Sequence, residues 1–146
     1  MRAWGLALGL VLVAAYALSQ PAPENTIRVE IDGLRSAQGE VRCSLYASAE
    51  GFPTRDEKAV AHARSSIADG RGMCVFAGVA PGRYAVAAYH DENGNGRLDT
   101  NFLGIPREGV GASKNAKGRF GPPRFDDAAF SFPGGRLELK IAMRYL

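Results

Sequence analysis

Histidine and cysteine are scarce in this 146-residue chain, two of each, and their placement removes several chemistries at the outset. His62 and His90 stand in no H-x-x-x-H or comparable ligand spacing, which argues against a zinc centre. There is no Cys-x-x-Cys and no histidine close to either cysteine, which argues against a redox or metal role for the thiols. The motifs G-x-S-x-G, S-x-x-K and G-x-x-x-x-G-K-[ST] are missing, so no serine-hydrolase elbow or phosphate-cradling loop is predicted. Net charge is also small, formally +3, too little to argue for a nucleic-acid partner. The chain has no internal repeat and no alternation of strands with helical segments, which speaks against a parallel sheet.

Residues 1–19 carry one charge, Arg2, followed by an apolar run from Trp4 to Leu18 and the small-residue site Ala17-Leu18-Ser19. That pattern predicts a secretory signal peptide, because the run falls short of the roughly 20 residues a bilayer span needs. Cleavage there leaves residues 20–146, enough for one domain and too few for two ordinary ones. The expected location is the periplasm or the exterior, with no transmembrane segment after cleavage. No cysteine precedes Cys43, so lipid attachment at a processed N-terminal cysteine is excluded. In an exported chain the even pair Cys43 and Cys74 most simply forms one disulfide, two buried thiols being the alternative. Closing that loop is worth roughly 3 kcal/mol on the chain-entropy argument.

Ile27-Arg28-Val29-Glu30-Ile31-Asp32 alternates apolar and polar residues, the period of a strand with one face in a core. Val41, Cys43 and Leu45 repeat the pattern after the Gln38-Gly39 turn, and the two segments read as a hairpin. Thr54-Arg55-Asp56-Glu57 matches a capping box and predicts a short helix near 55–64 that buries Ala59, Val60 and Ala63. Strand character returns at Met73–Phe76 and at Tyr84–Tyr89, the latter apolar on both faces and therefore central. Ala80-Pro81-Gly82 between them is a turn signal. Leu137–Tyr145 alternates again and should be paired in a sheet. Six or seven short strands with one short helix predict an all-β fold, an antiparallel two-sheet β-sandwich of immunoglobulin-like or prealbumin-like type.

The exception is a long loop, 91–128, which is too long to lie unpatterned in a compact domain unless it is pinned or binds something. It opens with Asp91-Glu92-Asn93-Gly94-Asn95-Gly96-Arg97-Leu98-Asp99. Asp91, Asn93, Asn95 and Asp99 occupy positions 1, 3, 5 and 9 of a calcium-type loop, Arg97 offers its carbonyl at position 7, and Gly96 sits at the bend. The acidic residue expected at position 12 is replaced by Phe102, so a further ligand must come from elsewhere, with Glu108, Asp126 and Asp127 as candidates. Two neutral asparagines make such a site weak and structural, a Ca²⁺ held with an affinity on the order of 10⁻⁴ to 10⁻³ M. Asn-Gly dipeptides are equally ordinary in turns, which is the competing reading. Phe102, Leu103, Ile105, Phe120 and Phe125 are expected to anchor the rest of the loop over one end of the sandwich.

Between Arg97 and Arg124 the loop carries Arg97, Arg107, Lys114, Lys117, Arg119 and Arg124 against Asp99 and Glu108. These form either a docking patch for an anionic envelope glycan or lipid headgroup or a solvated loop kept soluble by charge. His90 at a strand end could serve a hydrolase with Asp126 or Glu108, although a local hydrogen bond is the commoner fate of such a residue. The functional expectation is a non-catalytic binding or accessory module of the cell envelope, its partner an envelope polysaccharide or another envelope protein.

The segment from His90 through Gly109, continuing through Ser113-Lys114-Asn115-Ala116 and Gly121–Phe130, with Pro81-Gly82-Arg83-Tyr84-Ala85-Val86 upstream, resembles a bacterial family catalogued as domain of unknown function 2141. The resemblance implies an exported β-sandwich and no particular activity. The Pro-Gly-x-Tyr turn feeding a strand is also similar to that of prealbumin-like and carboxypeptidase-regulatory-like sandwiches, a likeness of fold alone.

Overall fold

A computed structural model describes residues 25–146; the predicted signal peptide lies outside them. Eight strands form two facing sheets: β1 (Thr26–Asp32), β2 (Glu40–Tyr46), β3 (Ala61–Ser65), β4 (Gly72–Phe76), β5 (Gly82–Asp91), β6 (Val110–Ala112), β7 (Phe130–Phe132) and β8 (Arg136–Ala142). One sheet has the order β4-β1-β8 and the other β3-β2-β5-β6, with β7 also paired to β5. The predicted all-β sandwich is therefore present, with β5 central as its two apolar faces required.

Alternation places one face of each strand inward. Ile27, Val29, Ile31 and Ile141 from one sheet meet Val41, Cys43, Leu45, Val86 and Ala88 from the other, all essentially buried. The Cys43–Cys74 disulfide joins β2 to β4 across this core, with the Cα atoms 6.5 Å apart. A second apolar cluster lies on the outer face of β2 and β5, where Tyr46, Ala85 and Ala87 are covered by Phe52, Phe125, Ala128 and Ala129. Phe52 packs edge-on against both Tyr46 and Phe125, at 5.3 and 5.9 Å between ring centres.

Three details depart from the sequence reading. β1 and β2 are not a hairpin but lie in opposite sheets, since alternation reveals a buried face without saying which layer supplies it. β1 and β8 pair in parallel over their whole length, Val29 opposite Leu139. Parallel neighbours need a long connection, and here the rest of the domain is that connection. The pairing starts where the Thr26 N–H donates to the Gly135 carbonyl at 2.8 Å. Finally, the helix predicted near 55–64 is a single 3₁₀ turn, Asp56–Lys58, followed by β3. The capping box does not form; Arg55 occupies the cap position without a side-chain bond, and its guanidinium pairs with Glu57 instead. Ala61-His62-Ala63-Arg64-Ser65 satisfies a period of two, and pairing with β2 decides in favour of the strand. Val60 is consequently exposed, and Ala59 and Ala63 pack into different clusters.

Because the disulfide is the covalent tie between the sheets and spans 31 residues of sequence, replacing both cysteines by serine is expected to lower unfolding stability by roughly 3 kcal/mol. Urea denaturation of the variant against the oxidised protein checks this, and an unchanged midpoint would contradict it.

Candidate functional site in the 91–128 segment

The segment is folded throughout. It contains a hairpin tip at 99–107, β6, a 3₁₀ turn at Ser113–Asn115 and the one-turn helix α1 (Phe125–Ala128). β6 pairs with the second half of β5 and β7 with its first residues, leaving a gap at Ala85–Val86. Ser113, fully buried, fills that gap: its hydroxyl accepts the Val86 N–H at 2.9 Å and donates to the Ala128 carbonyl at 2.6 Å. Both ends of the 114–127 excursion are held by this one oxygen. Nothing in the local sequence marks Ser113 out, because its partners lie 27 and 15 residues away.

At the root of the segment, Asp91 is completely buried and serves as an internal anchor. Its carboxylate accepts the N–H groups of Asn95 (3.2 Å) and Gly96 (2.9 Å) and the Arg42 guanidinium (3.2 Å). Gly96 has φ +81°, the left-handed conformation that glycine adopts at little steric cost. Asn93 and Asn95 turn their carbonyl oxygens onto the N–H groups two residues ahead and their amides onto the Asp99 carboxylate, at 2.8 Å for Asn95. The residues at positions 3, 5 and 9 thus converge.

Of the three candidates for the missing acidic group, Glu108 is the one brought to this loop. It is buried, and its carboxylate bridges the Glu92 N–H (2.7 Å) and the Asp99 N–H (2.9 Å). Asp126 instead bonds Arg83 at 3.2 Å, while Asp127 is exposed on α1. Glu92, Asn93, Asp99, Arg35 and Arg107 border an open cleft of about 430 Å³ here. Among the described residues no group of three or more His, Cys, Asp or Glu is arranged to hold a metal, so a cation in this loop would depend on amide and main-chain oxygens. The groups that Asn93 and Asn95 turn toward Asp99 are amide N–H donors, so a cation there would require both carboxamides to rotate and present their oxygens beside the Asp99 carboxylate.

The rest of the basic series stays at the surface. Arg107, Lys114, Lys117, Arg119 and Arg124 are exposed, and Arg124 lies 3.9 Å from Asp126. Of the five apolar residues expected to anchor the segment only Phe125 is buried; Phe102, Leu103, Ile105 and Phe120 point into solvent.

His90 is fully buried and engaged at both ring nitrogens. Nε2 donates to the Gln38 carbonyl at 2.7 Å, leaving Nδ1 to accept from the Tyr145 hydroxyl at 2.8 Å. Asp126 is not among its partners, and Glu108 spends its carboxylate on backbone N–H groups. A second polar cluster, which no local sequence pattern announces, lines a cleft of about 310 Å³ on the outer face of β2 and β3. There the Ser44 hydroxyl lies 3.1 Å from an Asp56 carboxylate oxygen and 3.2 Å from His62 Nδ1. Ser44 has one proton to give, to Asp56 or to His62, and the tautomer of His62 decides which.

The profile of a family described as uncharacterized proteins conserved in bacteria, domain of unknown function 2141, matches residues 29–140. The chain belongs to this family. The matched span takes in the disulfide, the whole 91–128 segment, the second apolar cluster and most of the first. No curated protein and no solved structure matches the chain at a significant level. Among the described residues, no helix of this member is long and apolar enough to cross a membrane.

Removing the charge of Glu108 by Glu108→Gln should cost about 1–3 kcal/mol, the value of hydrogen bonds to a buried charged group. Hydrogen exchange localises it: the Glu92 and Asp99 amides should exchange faster while those of β1 and β2 are little changed, and equal exchange at all four would refute the bridging role.

The loop should also respond to acid. Arg35, by its hydrogen bonds, holds the Glu92 carboxyl below its ordinary 4.5, and the Asn95 and then Asn93 amides hold Asp99 below 3.8. For depressed carboxylates the stabilisation is complete above the ordinary values and lost as pH falls through the lowered ones. In NMR the carboxyl carbons of Glu92 and Asp99 should titrate with midpoints below 4.5 and 3.8 respectively. A transition nearer neutrality would be contrary to this assignment.

Proposed function

We infer that this family member is an exported, non-catalytic recognition module of the bacterial envelope, resident in the periplasm or outside the cell. Its 91–128 segment forms the recognition surface, and a weakly held Ca²⁺ steadies that surface. The observation that carries the reading is Glu108: an acidic side chain nine residues beyond Asp99 is buried against the Asp99 N–H, beside the converging Asn93, Asn95 and Asp99 side chains.

Ca²⁺ would be held by Asn93, Asn95 and Asp99 with the Arg97 carbonyl, while Asp91 shapes the loop from within. The cation supplies charge neutralisation and a fixed loop shape. Export is supported by the leader pattern of residues 1–19 and by the disulfide, which persists in oxidising compartments. The non-catalytic reading is supported by His90, whose two ring nitrogens are both directed to structural partners.

Thermal melting in EDTA and then in millimolar Ca²⁺ tests the metal. The midpoint is expected to rise by a few degrees with Ca²⁺ and to respond less in Asp99→Asn. An unchanged midpoint together with no heat of binding in titration calorimetry would refute it.

A further inference from the structure

The hairpin tip of the segment has an unusual composition for its position. Its stem is closed by the Arg107 N–H donating to the Asp99 carbonyl (2.9 Å), by a bridge between Thr100 and Pro106, and by the Asn101 N–H donating to the Ile105 carbonyl (2.9 Å). Asn101 also accepts the Leu103 and Ile105 N–H groups on its side-chain oxygen, at 2.8 and 3.0 Å. Gly104 completes the turn at φ +79°, its N–H donating to the Asn101 carbonyl. Internal bonds therefore hold the tip in one shape, with the Arg107 carbonyl at its base tied to Arg35. What it presents is Phe102, 93 % exposed, Leu103, 68 %, and Ile105, 44 %. A second bend of the same segment presents Phe120, completely exposed, next to Arg119.

Cations surround these apolar residues. Arg97 and Arg107 flank the stem, and among the described residues neither forms an ion pair with an acid. Between Arg97 and Arg124 six basic residues stand against Glu108, which is buried, and Asp99, so the net exposed charge of this stretch is basic. Solvent-exposed apolar side chains on a hairpin flanked by Arg97 and Arg107 match the chemistry of a lipid interface. There, acyl chains take up the Phe and Leu side chains while anionic headgroups meet the cations.

We propose that the 99–107 hairpin docks this protein on an anionic phospholipid surface, with Phe102 and Leu103 entering the headgroup and acyl boundary and Arg97 and Arg107 pairing with the headgroups. This rests on the reading above only in taking the 91–128 segment as the recognition surface, and it stands independently of the cation. A polyanionic glycan would use the same arginines but has no place for Phe102 and Leu103, which is why lipid is favoured.

The test is sedimentation of the exported protein with vesicles of phosphatidylglycerol and phosphatidylcholine, against vesicles of phosphatidylcholine alone. Binding to the anionic vesicles is expected, weakened by raised salt and reduced about tenfold or more by Phe102→Ser with Leu103→Ser. Arg97→Glu with Arg107→Glu should reduce it comparably. The serine variant should keep its melting temperature and its response to Ca²⁺, which separates failure of docking from failure of the calcium reading. A Leu103→Trp variant should show a blue-shifted emission, quenched by brominated lipid, only with anionic vesicles. No vesicle binding, binding unaffected by the serine variant, equal binding to uncharged vesicles, retention on an anionic glycan alone, or a dimer in solution that buries the tip would each overturn the proposal.

Discussion

The architecture follows from β5 having to bury both of its faces. Val86 and Ala88 belong to the core between the sheets, whereas Ala85 and Ala87 face outward and are almost equally inaccessible. A sandwich strand usually leaves its outer face to water, so a second apolar layer must be supplied from elsewhere in the chain. Here it comes from Phe52, in the connection between β2 and β3, and from Phe125, Ala128 and Ala129 at the end of the long segment. Alanine at the outward positions of β5 lets the aromatic rings of Phe52 and Phe125 lie close to the sheet. The length of the 91–128 segment is thus partly explained by what it has to cover.

The same strand sets how the segment is secured. One edge of β5 pairs with β2 along seven residues, but the other is shared by two three-residue strands, which leaves main-chain groups to be satisfied in between. Ser113 completes that edge, and Glu108 does the equivalent at the loop root by accepting two N–H groups. Buried polar side chains here replace strand pairing where the backbone leaves the sheet, in keeping with the cost of an unpaired main-chain group. Arg35 adds a further tie, lying 4.4 Å over the Tyr145 ring while binding Glu92 and the Arg107 carbonyl at 3.3 Å.

Much of this could be read from the residues alone. The alternation at 27–32, 41–45 and 137–141 marks true strands, the two-faced run at 84–89 marks the central one, and the cysteines are paired. Asp91, Asn95 and Asp99 lie in one glycine-bent turn closed by side-chain hydrogen bonds, and the Glu108 carboxylate sits at its root. What escaped was set by distant contacts. Periodicity is blind to sheet membership, so β1 and β2 looked like a hairpin, and the parallel pairing of β1 with β8 leaves no local trace. Ala61–Ser65 fits a helix or a strand until β2 is present to pair with it. Hydrophobicity alone also misplaced Phe102, Leu103, Ile105 and Phe120, because an apolar residue in a loop can face solvent when the turn bonds hold it there.

The two sheets also approach one another at their margins. β3 adjoins β4, where Ser65 accepts the Met73 N–H at 2.8 Å, and at the other side Val110 bridges to Arg144 while the Ala142 N–H donates to Asn115. Along β8 the outward positions are Arg136, Glu138 and Lys140, charges that discourage a foreign strand from adding on. A protein closed in this way has little free backbone to offer an extended peptide, and little to template its own aggregation. Contact with a partner would then fall to side chains on the loops, which the strands carry without depending on their identity.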